Sequence, residues 1–76
     1  MDEALLLSNF GHCVKDARLA LGLSQEKLAL DCGLDRTYIS SVERGKRNVS
    51  LINIHRLAEA LGISPTNLLV TKGGSK

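Results

Sequence analysis

Four glycines cut this chain into pieces too short for anything but small helices. Gly22, Gly33, Gly45 and Gly62 each stand where a helical run ends, and Ser24, Asp35, Ser50 and Ser64 open the run that follows. A glycine just past the last periodic residue closes a helix, and a serine or aspartate oxygen caps the free amides of the next. Leu7, Phe10, Val14, Ala17 and Leu21 recur at spacings of three and four, the stripe of a first helix for which Ser8 is a candidate cap. A second helix covers residues 25–32, with Glu26 near its positive end. A third runs from 36 to about 44 behind Asp35. After the polar connection Lys46-Arg47-Asn48-Val49, a fourth is expected to bury Leu51, Ile54, Leu57, Ala58 and Leu61. Ser64-Pro65 restarts the chain for a fifth, because proline at the first helical position has no needed N–H to lose. No stretch alternates apolar and polar in strand fashion. The expected fold is all-α, a compact five-helix bundle over residues 1–70, with 71–76 a flexible tail.

A chain of 76 residues has little core to spare. A domain of this size buries about 60% of its unfolded surface, so it needs metals, disulfides, very regular packing or a partner subunit. Cys13 and Cys32 are too few for a disulfide scaffold, and with His12 and His55 they lack zinc-ligand spacing. They read as small core fillers in a reducing compartment, and neither a metal nor a cofactor is expected. The start is acidic and its apolar run too short for a signal peptide, so the expected location is cytoplasmic. No window approaches the ~20 apolar residues that a bilayer requires. An enzyme is not expected either: there is no nucleophile elbow, Walker loop or His-Glu-x-x-His, and Gly73-Gly74-Ser75-Lys76 has no helix behind it.

The net charge of +2 hides an asymmetry. Residues 1–35 hold three basic side chains against six acidic ones, a net −3, whereas 36–76 hold seven against two, a net +5. Arg36, Arg44, Lys46 and Arg47 crowd the segment from 36 to 47, opposed there by Glu43. Such a basic stripe is the electrostatic footprint of a polyanion site. The same region carries two short helices joined by a turn at Gly33. Ala29 stands where the second helix must approach the third, and Leu28, Cys32, Leu34, Ile39 and Val42 fall at inward positions. With those turned inward, Arg36, Thr37, Ser40, Ser41 and Arg44 lie outward or at the flanks, with Tyr38 at the boundary. Arginine pairs bidentately with guanine, hydroxyls reach bases or phosphates, and a threonine methyl or tyrosine ring can touch the thymine methyl.

Residues 25–44 resemble the helix-turn-helix of the phage-repressor-like regulators, and the resemblance extends from about Phe10 to Leu69. It implies a structural ion pair between Arg18 on the first helix and Glu43 late in the recognition helix. The run Leu34-Asp35-Arg36-Thr37-Tyr38-Ile39-Ser40, followed by Glu43-Arg44 and Arg47-Asn48, is most similar to the controller proteins of restriction–modification systems. Those are small dimeric regulators that bind operators upstream of their own and the endonuclease genes, as activators or repressors. The resemblance implies base reading by Arg36, Thr37, Tyr38 and Ser40. It implies phosphate and backbone contacts from Gln25, Ser41, Arg44, Lys46, Arg47 and Asn48, and Arg56 is a further candidate. The partners expected are double-stranded operator DNA, a second copy of the chain and, in activation, RNA polymerase. With no second domain, no small-molecule ligand is expected.

A dimer also follows from arithmetic. One recognition helix spans about four to six base pairs, too few to select a site, whereas two related by a two-fold read a pseudo-palindrome. Ile52, Ile63, Leu69 and Val70 are the interface candidates, with Leu69 and Val70 favoured, while Ile63, like Leu68, is expected rather to close the monomer core. The alternative is an antitoxin or another general regulator that binds a protein partner as well as DNA. A toxin-binding extension normally needs more residues than follow the fifth helix, and neighbouring methyltransferase and endonuclease genes would mark a controller.

Overall fold

The computed structural model describes residues 1–70. Its helices are α1 (Glu3–Ala20), α2 (Gln25–Cys32), α3 (Arg36–Glu43) and α4 (Leu51–Leu61), followed by a single 3-10 turn (Pro65–Leu68). Among the described residues there are therefore four α-helices and not five. Asn67 N–H bonds to the Ser64 carbonyl at 2.9 Å and Leu69 N–H to that of Thr66 at 3.1 Å, both three residues back. So short a piece settles for the tighter winding that 3-10 turns supply. That winding seats Leu68 wholly within the core. The expected tail, 71–76, lies outside the described residues.

The caps explain most boundaries. Ser24 Oγ accepts from Lys27 N–H at 3.0 Å and Ser50 Oγ from Asn53 N–H at 3.1 Å. At the third start, Asp35 holds the N-cap position but its side chain makes no capping bond. The first helix begins earlier than Ser8 predicts: Asp2 Oδ1 accepts from Leu5 N–H at 3.0 Å, which leaves Ser8 inside α1. At Gly33, φ is +69° and the chain turns back so that Leu34 N–H reaches the Ala29 carbonyl at 2.9 Å. That left-handed backbone, disfavoured by a β-carbon, joins α2 to α3.

Phe10, Val14, Leu28, Ala29, Ile39, Val42, Leu57, Ala58, Leu61 and Leu68 form the core, and both cysteines fill it as expected. The Cys32 thiol donates to the Leu28 carbonyl at 3.0 Å, and burial pushes its pKa up, keeping it a thiol. Two stripe residues are not buried as expected: Leu21 is 54% exposed and Leu51 71%. Each sits at a helix end, Leu21 as the C-cap of α1 and Leu51 as the first residue of α4, where the stripe outruns the core.

α1 crosses closely over the end of α3 at Gly11. A β-carbon at Gly11 would overlap the Val42 carbonyl oxygen and lie 2.8 Å from that of Glu43. Gly11 and Arg18, two turns apart on α1, thus serve one contact: the glycine admits the α3 backbone and the arginine clasps it. Gly11→Ala is expected to destabilise by about 1–3 kcal/mol through overpacking. That overrides alanine's helix-propensity advantage of about 1 kcal/mol, and urea unfolding measures the difference.

Candidate nucleic-acid interface

α3 is amphipathic by construction. Ile39 and Val42 point into the core and are essentially inaccessible, while Arg36 and Thr37 are exposed and Tyr38 and Ser40 are half-buried. Arg44, Lys46, Arg47 and Asn48 continue the exposed face past the helix end. The structure thus brings the base-reading candidates and the basic cluster into one continuous segment.

Glu43 ends α3, where a negative charge meets the negative end of the helix dipole. It is tolerated because it is clasped. Arg18 Nε donates to Glu43 Oε2 at 2.7 Å and Arg18 Nη2 to Oε1 at 3.0 Å, a bidentate fork between residues each only 8% exposed. Arg18 Nη1 also donates to the Leu23 carbonyl at 2.7 Å, tying the α1–α2 connection into the same knot. Hydrogen bonding to Glu43 raises the Arg18 pKa against the opposing effect of burial, so the guanidinium stays charged. Gln25 Nε2 donates to Glu43 Oε1 at 3.0 Å, bringing the first residue of α2 to the last residue of α3. The ion pair expected from the resemblance is therefore present, with Gln25 as an additional brace.

A second network lies under the exposed face. Ser41 is buried; its hydroxyl donates to the Tyr38 carbonyl at 2.8 Å and accepts from Arg47 Nε at 3.1 Å. That position makes it a support for Arg47. The Arg47 guanidinium lies 5.4 Å from the centre of the Tyr38 ring, within cation–π range. Arg44 Nη1 donates to the Ser40 hydroxyl. Asn53 Nδ2, from α4, donates to the Tyr38 hydroxyl at 3.2 Å. Asn53 was not legible as a site residue, because a contact across fifteen positions between two helices leaves no periodic trace. Arg56 lines a shallow cleft elsewhere, with Asp31, Cys32 and Glu59.

Another part of the surface is apolar. Ile52, Leu69 and Val70 are exposed, Ile63 packs partly against the core, and Leu68 is fully inside it. Leu69 and Val70 also edge an apolar groove that Leu6, Leu7, Phe10 and Val49 line. Leu6 belongs with them, an addition from α1. Among the described residues, no His, Cys, Asp and Glu cluster could hold a metal ion, and no helix is long and apolar enough to cross a membrane.

A helix-turn-helix family model matches residues 14–68, which include α2, its turn and α3 in full. The chain belongs to the helix-turn-helix family. Within that family it is 56% identical over 61 residues to the control protein C.BamHI of Bacillus amyloliquefaciens, covering 79% of this chain and 75% of the relative. The crystal structure of the restriction–modification controller protein C.AhdI from Aeromonas hydrophila superimposes with a TM-score of 0.80 at 56% identity. That match covers 82% of this chain and 94% of the other. A tetramer of the controller protein C.Esp1396I, solved in complex with its natural 35 base-pair operator, matches with a TM-score of 0.77 at 38% identity over 83% of each chain. The expected family resemblance is confirmed by these likenesses. In this helix-turn-helix protein, α3 is the second helix of the motif and the Arg18–Glu43–Gln25 knot fixes it to α1 and α2.

Proposed function

We propose that this chain is a sequence-specific transcriptional regulator that binds a pseudo-palindromic operator as a homodimer in the cytoplasm. Its place is as the controller of a restriction–modification system, acting on its own gene and that of the endonuclease. The carrying observation is the exposed row on α3. Arg36 and Thr37 face solvent beside Tyr38 and Ser40, the acid of the segment is withdrawn into the Arg18 fork, and Arg44, Lys46 and Arg47 flank the row. From Arg36 to Asn48 the one acid is buried and paired, which suits a phosphate-lined groove. Likeness to control proteins, one of them solved on its operator, supports the same reading.

In this mechanism α3 enters the major groove, and Arg36, Thr37, Tyr38 and Ser40 meet base edges. Lys46, Arg47, Arg44 and Asn48 take the flanking phosphates, Gln25 contributes from the start of α2, and Ser41 steadies Arg47 from below. The exposed Ile52, Leu69 and Val70, joined by Ile63, cover one another across the two-fold, which gives a small domain the buried surface it otherwise lacks. RNA polymerase is the further partner when the bound dimer activates.

Replacing Arg36 by alanine is expected to cost roughly 1–3 kcal/mol of operator binding and to relax preference at one position per half-site. Competition binding against single-base operator variants checks it. Unchanged discrimination would remove Arg36 from the base-reading set.

A further inference from the structure

Tyr38 is gripped by groups that base reading alone does not require. Its carbonyl accepts from Ser41 at 2.8 Å, and Arg47 lies over its ring while donating to that same serine. The third grip crosses from another helix. Asn53, in the first turn of α4, donates through Nδ2 to the phenolic oxygen at 3.2 Å. Asn53 is itself anchored: its backbone N–H bonds to Ser50 Oγ at 3.1 Å and its side chain is half-buried.

A phenol has one hydrogen to give and lone pairs that accept. When an amide N–H occupies a lone pair, the phenolic hydrogen is directed away from that amide. Tyr38 then meets its surroundings as a donor. In a major groove that donor pairs with guanine O6 or N7, adenine N7 or thymine O4, whereas the cytosine amino group offers it no acceptor.

We propose that Asn53 is a specificity-determining positioning residue, which holds the Tyr38 ring toward α4 and presents its hydroxyl as a donor to a base-edge acceptor. The proposal rests on α3 being the base-reading helix. Because the ring is ordered before DNA arrives, its rotamer freedom is not lost on binding.

The probe is a duplex enriched by the wild-type protein from a random-sequence pool, compared with a scrambled duplex of equal composition. Tyr38→Phe lowers the ratio of the two affinities by roughly threefold to tenfold per half-site, the range of one net hydrogen bond. Asn53→Leu, which keeps the branched shape and loses the donor, lowers it equally. The double variant is no worse than Tyr38→Phe alone, since both act through one hydroxyl. With one tyrosine and no tryptophan in the chain, tyrosine fluorescence reports Tyr38 alone, and its anisotropy decays faster in Asn53→Leu. If that variant does not fold, Asn53→Ser, too short to reach the hydroxyl, takes its place. Additive losses in the double variant overturn the proposal. So do equal losses on both duplexes, which would put the hydroxyl on a phosphate. Arg36→Ala on the same duplexes separates the two levels. If it leaves the ratio unchanged, the base-reading assignment of α3 fails; if it lowers the ratio while Asn53→Leu does not, only the role of Asn53 fails.

Discussion

Replacing Glu43 by alanine will destabilise the protein by about 3–5 kcal/mol, because it strands a buried guanidinium. Arg18 loses both bonds of its fork and keeps the one to the Leu23 carbonyl. Against a total stability of about 5–15 kcal/mol, that loss is large enough to leave much of the chain unfolded at moderate temperature. The effect belongs to the unpaired charge and not to the pair as such. Replacing both members together, Arg18→Met with Glu43→Leu, is therefore expected to restore most of the stability, since apolar groups of similar volume often equal or exceed a buried pair. Urea unfolding of the single and double variants gives the comparison. A single variant within about 1 kcal/mol of wild type would mean that water reaches Arg18 in solution.

The second large effect is salt dependence. Arg44, Lys46 and Arg47 give each protomer three phosphate-directed cations, six in a dimer. The slope of log affinity against log salt should then be about −5, a loss near 10³-fold between about 50 and 200 mM. Lys46→Ala removes two of those contacts and should flatten the slope to about −3.6. Arg56→Ala should leave it unchanged, because Arg56 lines its cleft with Asp31 and Glu59. Fluorescence titrations of the two variants across a salt series distinguish the phosphate-directed cations from Arg56. A slope near −1 would leave the basic cluster without phosphates.

Local signals carried most of the fold into view from the sequence. Ser24 and Ser50 cap where expected and Gly33 turns as expected, because caps and left-handed turns are decided by neighbours in the chain. The misreadings occur where tertiary packing decides. Pro65 reads as the start of another α-helix, but the piece it opens is a single 3-10 turn that seats Leu68 in the core. Leu21 and Leu51 keep helical spacing and still lie outside, since a stripe says nothing about where the core ends. Gly11 gave no sign of its role, which depends on carbonyls more than thirty residues away. The site divides in the same manner. The exposed residues of α3 were legible from its inward face, and Arg18–Glu43 from the family resemblance. The inward turn of Ser41, the reach of Gln25 to Glu43 and the bond from Asn53 to Tyr38 each needed coordinates.

The central claim, that two copies of α3 read DNA across a two-fold axis, is tested most directly by selecting binding sites from a random duplex pool. The account predicts an enriched inverted repeat whose half-site centres lie about one helical turn, roughly 34–36 Å, apart. A pool that enriches no sequence, or only a solitary half-site, would contradict it.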